Sequence, residues 1–118
     1  MKVFVSVPFE GRNYDEAERH LDRIVEMLSS HGHDVVTPFD GLLLGDIDDY
    51  NDDEPYINIG DVIDAVVACD AVVIGDKWPT DKQCSLVRAA AQIYNLKTIY
   101  ESCFSFVNFQ NLTYDFND

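Results

Sequence analysis

Apolar residues along the chain alternate between short β-branched runs and stretches at helical spacing, and each change of period marks an element. Lys2 to Pro8 (KVFVSVP) is a continuous apolar run with one interruption, the pattern of a strand buried on both faces. After the Phe9–Arg12 loop, Asn13 is followed three residues later by Glu16, which resembles a capping box, and Ala17, Leu21, Ile24, Val25 and Leu28 then recur at helical spacing up to Gly32. Asp34 to Pro38 predicts a second strand, so the opening third of the chain is a βαβ unit with two parallel strands. Ile57 to Ala68 predicts a second helix, Asp70 to Gly75 a third strand, Asp81 to Tyr94 a third helix and Lys97 to Tyr100 a fourth strand. The succession is that of a single-domain α/β fold: a doubly wound, flavodoxin-like parallel sheet of four to five strands in the order 2-1-3-4(-5).

Two segments break the pattern. From Phe39 to Pro55 the chain runs GLLLGDIDDYNDDEP, with six carboxylates between Asp46 and Glu54, and predicts a long acidic loop. It lacks the central Gly and terminal spacing of a calcium loop, so a solvated loop is the reading it favours. Phe104 to Asp118 is rich in aromatics, which pack either as a fifth strand along the sheet edge or against a neighbouring subunit.

Charge narrows the partners. The formal net charge is −14, from 22 acidic and 8 basic residues, and such a surface repels nucleic acid and anionic membranes. No apolar stretch reaches the roughly 20 residues of a spanning helix. Cys69, Cys84 and Cys103 show no CxxC spacing, and no charged segment followed by an apolar run opens the chain, which together predict a reduced, cytoplasmic protein. His31 and His33 flank Gly32 without further ligands at metal spacing, so neither a metal nor a cofactor is expected.

In an open parallel sheet, ligands bind outside the carboxyl ends of strands whose helices go to opposite faces, here strands one and three. The loops entering that crevice are Pro8 to Asn13 and Asp76 to Gln83, with Tyr56 and the acidic loop as covers. Helices beginning near Asn13 and Asp81 direct free N–H groups toward it and suit a phosphate or a ribose.

On these residues the chain resembles the superfamily of nucleoside 2-deoxyribosyltransferases and nucleotide N-glycosidases, including small proteins common in bacteria and phages. VFVSVPFEG is similar to the family's first strand and its Pro loop, HGHDVVTP to the second strand, and CDAVVIGDKW to the third strand and the Trp after it. There the family continues W-x-x-S-x-G-(A/C)-x-x-E, where this chain has Trp78 to Val87: Cys84 fits, Gln83 stands at the Gly and Val87 at the Glu. The resemblance implies that this Glu is the nucleophile that forms the glycosyl-enzyme intermediate, a step valine cannot perform. It also implies a small-molecule nucleoside or nucleotide as ligand and assembly into homo-oligomers. Gln83 fills the space a Gly leaves and brings an amide to it, so the pocket is remodelled.

Three functions follow: a binder of nucleotide-derived ligands without glycosidase activity, an N-glycosidic hydrolase or transferase in which Asp81 or Asp76 has taken over, or a protein-interaction domain. Asp81 reads more simply as the N-cap of the third helix, and Asp61, with Asp64, more simply as a solvated residue of an acidic helix than as a family-like assisting carboxylate. The expected ligand contacts are Pro8, Phe9, Gly11, Arg12, Tyr56, Trp78, Gln83, Cys84 and Arg88. Each has a plainer alternative: Arg12 an ion pair with Asp15 or Glu16, Trp78 a core plug, Cys84 an inert buried thiol, Arg88 a solvent-facing charge.

Overall fold

A computed structural model describes residues 1–8, 13–37, 59–77 and 81–114. The expected sheet is present. Strand β1 (Lys2–Ser6) leads to helix α1 (Tyr14–Ser30), β2 (Asp34–Val36), α2 (Ile59–Val67), β3 (Ala71–Ile74), α3 (Lys82–Ile93) and β4 (Lys97–Tyr100). All neighbours pair in parallel in the order β2-β1-β3-β4, with Val3 opposite Val35 and Ala71, and Ala71 opposite Lys97. No helix among the described residues is long and apolar enough to cross a membrane.

Alternation along β1 divides the core in two. Val3, Val5 and Val7 point to one face and pack with Leu21, Ile24 and Leu28 of α1. Phe4 points to the other and joins Val62 and Val66 of α2 with Cys84, Val87, Ala90 and Ala91 of α3. The sheet is thus wound on both faces, and α1 and α3, which follow the adjacent strands β1 and β3, lie on opposite sides.

The aromatic tail departs from an edge strand. Glu101–Phe106 forms a 3-10 helix, and Val107–Asn108 (β5) pairs antiparallel with Thr113–Tyr114 (β6) in a separate two-stranded ribbon. Leu112 is buried in the α1-side core, with Phe104, Val107, Phe109 and Tyr114 packed around it. A third side chain secures the attachment: His33, itself buried, bonds through Nε2 to the Phe109 carbonyl. The outer edge of β4 is closed by a side chain instead of a strand. The Tyr114 hydroxyl accepts from the Tyr100 N–H at 2.9 Å and donates to the Thr98 carbonyl at 3.2 Å, covering groups that would otherwise pair with another chain. Burial of that phenol pushes its pKa up, which keeps the donating proton in place.

Candidate functional site

The carboxyl end of β1, the turn leaving β3 and the first turn of α3 come together where the sequence places the crevice. Ser6 lies in the row of β1 that faces α3, two residues beyond Phe4, and is fully buried where an apolar residue would complete the pattern. Its hydroxyl sits 3.2 Å from the Cys84 thiol and 3.4 Å from the Gln83 Oε1. The Gln83 Nε2 is buried and has no hydrogen-bond partner among the described residues. A buried amide donor left without an acceptor is costly, and such groups recur where a ligand or water supplies the missing partner.

Below this cluster the helix is closed and apolar. Asp81 is 2% exposed, adopts extended backbone and accepts from the Cys84 N–H at 2.9 Å, the geometry of an N-cap. Of its two sequence readings, the capping role is the one the geometry displays. Asp81→Ala is expected to lower stability by about 1–2 kcal/mol, because a buried cap is removed, whereas Asp81→Asn should recover most of the loss; chemical denaturation of the three proteins measures it. Val87, where the sequence resemblance sets a Glu in other proteins, is 1% exposed and lies in the apolar cluster with α2. Among the described residues α3 carries no carboxylate, since Lys82 to Ile93 reads KQCSLVRAAAQI.

Electrostatics distinguish the two helix starts near the crevice. Helix α1 opens with Asp15 and Glu16, and its Asn13 cap accepts from the Asp15 N–H. Helix α3 has no acidic residue in its first turn and has exposed Lys82 there, with Lys77 exposed on the turn after β3. Of these two helix starts, that of α3 is the one with lysines beside it, although the Asp81 carboxylate already occupies its cap.

The remaining candidates divide. Pro8 is buried immediately beyond β1, Asp76 is exposed on the turn after β3, and Asp61 is exposed in the first turn of α2. Arg88, expected at an anion or in solvent, donates through Nε to the Tyr100 hydroxyl at 2.8 Å and is half-buried. Phe9, Gly11, Arg12, Tyr56 and Trp78, with the acidic segment 46–54, lie outside the described residues.

Three residues of this end of the sheet were not among the sequence candidates. Ser6 was visible as the one polar residue among the buried positions of β1. His20 breaks the apolar stripe of α1 between Ala17 and Leu21, and it is 7% exposed. Its Nε2 donates to Glu101 Oε1 at 2.6 Å, and the same oxygen accepts from the Asp76 N–H at 2.8 Å. Burial alone would raise the Glu101 carboxyl, but those two bonds and the charges of His20 and Arg23 outweigh it and hold the group below the usual glutamate range. Nothing in the local sequence links His20 to a residue 81 positions away.

No known protein family, curated protein or solved structure matches the chain.

Proposed function

We propose that the protein binds a nucleoside- or nucleotide-derived small molecule in the crevice above β1 and β3, and that it does so without breaking the glycosidic bond. The observation that carries this reading is the contrast on α3. Neutral hydrogen-bonding groups, namely the Ser6 hydroxyl and the Gln83 amide, whose Nε2 has no partner among the described residues, meet at this end of the sheet, while the position of the nucleophile in the resembling enzymes is an aliphatic side chain sealed in the core. A base or ribose edge offers an acceptor to the Gln83 Nε2, and a phosphate suits the start of α3 beside Lys77 and Lys82. The buried carboxylate at this end of α3, Asp81, spends one oxygen on the helix cap, which leaves it poorly placed to attack an anomeric carbon.

The test is a thermal shift against a panel of deoxynucleosides and their 5′-monophosphates, with chromatography of the same mixtures for released base. A ligand at about 100 times its Kd adds roughly 2.7 kcal/mol of stability, a rise of several degrees in Tm. The expected result is a rise with one or more monophosphates, diminished by Gln83→Ala, and nucleotide recovered intact. Released base that disappears in Asp81→Ala would establish the enzymatic alternative instead, and silence in both assays would favour a protein-interaction role.

A further inference from the structure

The clamp between α1, the 3-10 helix and the turn after β3 lies beside the crevice but contributes no group to the ligand contacts above. One carboxylate oxygen of Glu101 takes both the His20 Nε2–H and the Asp76 N–H, so a single atom joins three elements. The chain leaving β3 is held on its other side by the β1 ladder, where the Gly75 N–H donates to the Ser6 carbonyl at 2.8 Å. Space around this point is tight. A Cβ on Gly75 would meet Val7 Cγ1 at 3.0 Å and His20 Cε1 at 3.2 Å, so the imidazole packs directly on the backbone of the turn it helps to hold. The next residue but one, Lys77, has a φ of 67°, a left-handed conformation that a lysine adopts only when its surroundings impose it.

We propose that His20 and Glu101 are positioning residues for the crevice: the shared carboxylate oxygen fixes the Asp76 amide, sets the left-handed turn that carries the chain from β3 toward α3, and loosens its hold on that turn when Glu101 takes up a proton. In its account of the ligand this rests on the nucleotide-binding reading; in its account of the turn it does not. The imidazole orients the carboxylate and supplies its second hydrogen bond, so that the oxygen facing Asp76 has little freedom. Among the described residues, the charged groups flanking the pair are Glu16 and Arg23, one turn before and after His20 on α1, and Asp76 and Lys77 on the turn itself; Val7 and Gly75 of the sheet add none. Of these, Arg23 reinforces the ionised carboxylate. The sign follows: an acid held below its ordinary range keeps the clamp closed through neutral and mildly acidic solution, and the clamp loosens as pH falls through the folded-state value.

Amide-resolved NMR on the full chain tests this without any ligand. In the wild type, the Asp76 amide proton should move with pH along a single curve whose midpoint lies below the usual glutamate range. Glu101→Gln should flatten that curve while keeping the fold, since a carboxamide oxygen still accepts but no longer titrates. Glu101→Ala should speed hydrogen exchange at Asp76 and Lys77 about ten- to a hundredfold relative to the β3 amides, the range for losing a bond to a charged group. His20→Leu should have the same direction of effect, and His20→Gln, which restores a donor, should reverse part of it. With deoxyadenosine 5′-monophosphate as probe, His20→Leu should weaken binding about tenfold and His20→Gln less. An Asp76 amide indifferent to pH in the wild type, exchange unchanged in Glu101→Ala, or undiminished affinity in His20→Leu would overturn the proposal. A wild type that ignores the nucleotide removes the functional reading, and the amide data then decide the clamp by themselves.

Discussion

Val87→Glu, the substitution that puts a carboxylate where the resembling enzymes carry their nucleophile, should destabilise the protein by about 4 kcal/mol or more at neutral pH and should not create a glycosidase. Val87 is 1% exposed, and its neighbours in the core are Val62 and Val66 of α2, Cys84, Ala90 and Ala91 of α3, and Phe4, Val72 and Ile74 of the sheet. None of these offers a hydrogen bond donor of the strength a carboxylate needs, so the new side chain must either stay protonated or force α3 away from the sheet. The pH dependence identifies which. A glutamic acid kept neutral by burial has a folded-state pKa raised above its unfolded value, so the stability of the variant is best preserved below the unfolded pKa and falls as pH rises from there to the raised folded-state value. Against a total of roughly 5–15 kcal/mol for domains of this kind, the loss is visible as a fall of roughly 15 °C in Tm. A variant as stable as the wild type that releases base from a deoxynucleotide would mean that position 87 faces the crevice.

Phe4→Ala should cost about 3–5 kcal/mol, and the reason is positional as much as chemical. Phe4 occupies the middle of β1, a strand bonded on both sides, opposite Val36 of β2 and Val72 of β3. Its ring is fully buried and belongs to the cluster that joins both helices of that face to the sheet. Removing it leaves a void that three elements border and none can fill by local adjustment, because each is fixed by its own ladder or helix bonds. Urea denaturation measures the loss. Phe4→Leu, which keeps most of the volume, should lose less than half as much. Because Ser6 follows in the same row, the Ala variant should also loosen the Ser6–Cys84 contact, an effect readable as faster exchange at the Cys84 amide.

The fold was legible because each of its decisions is local. The runs KVFVS, AVVI and KTIY are β-branched enough to name strands, the stripe from Ala17 to Leu28 names α1, and helix crossovers between parallel strands restrict the order to few choices. Asp81 was legible as a cap for the same reason, since it stands immediately before the helical run it terminates. The tail was not. Its alternation of aromatics was compatible with an edge strand, but Leu112 adopts a left-handed φ of 53° and turns the chain back on itself, so β5 pairs with β6 and a phenol takes over the closing of β4. Register and long-range polar pairs were illegible in principle. Ser6 with Gln83, and His20 with Glu101, are separated by 77 and 81 residues, and hydrophobic period carries no information about which buried polar side chains will meet. The substitution at position 87 was visible in the sequence, but only the packing of α3 against α2 shows that the side chain belongs to the core.

These points meet in one claim, that the carboxyl edge of β1 and β3 receives a nucleotide and leaves it whole. Titrating isotope-labelled protein with deoxyadenosine 5′-monophosphate while following backbone amides, and recovering the nucleotide afterwards, tests it most directly. The account predicts saturable shifts centred on Ser6, Gly75, Gln83 and Cys84, with the nucleotide returned unhydrolysed. Shifts confined to the ribbon or to the opposite end of the sheet, or adenine accumulating in the sample, would contradict it.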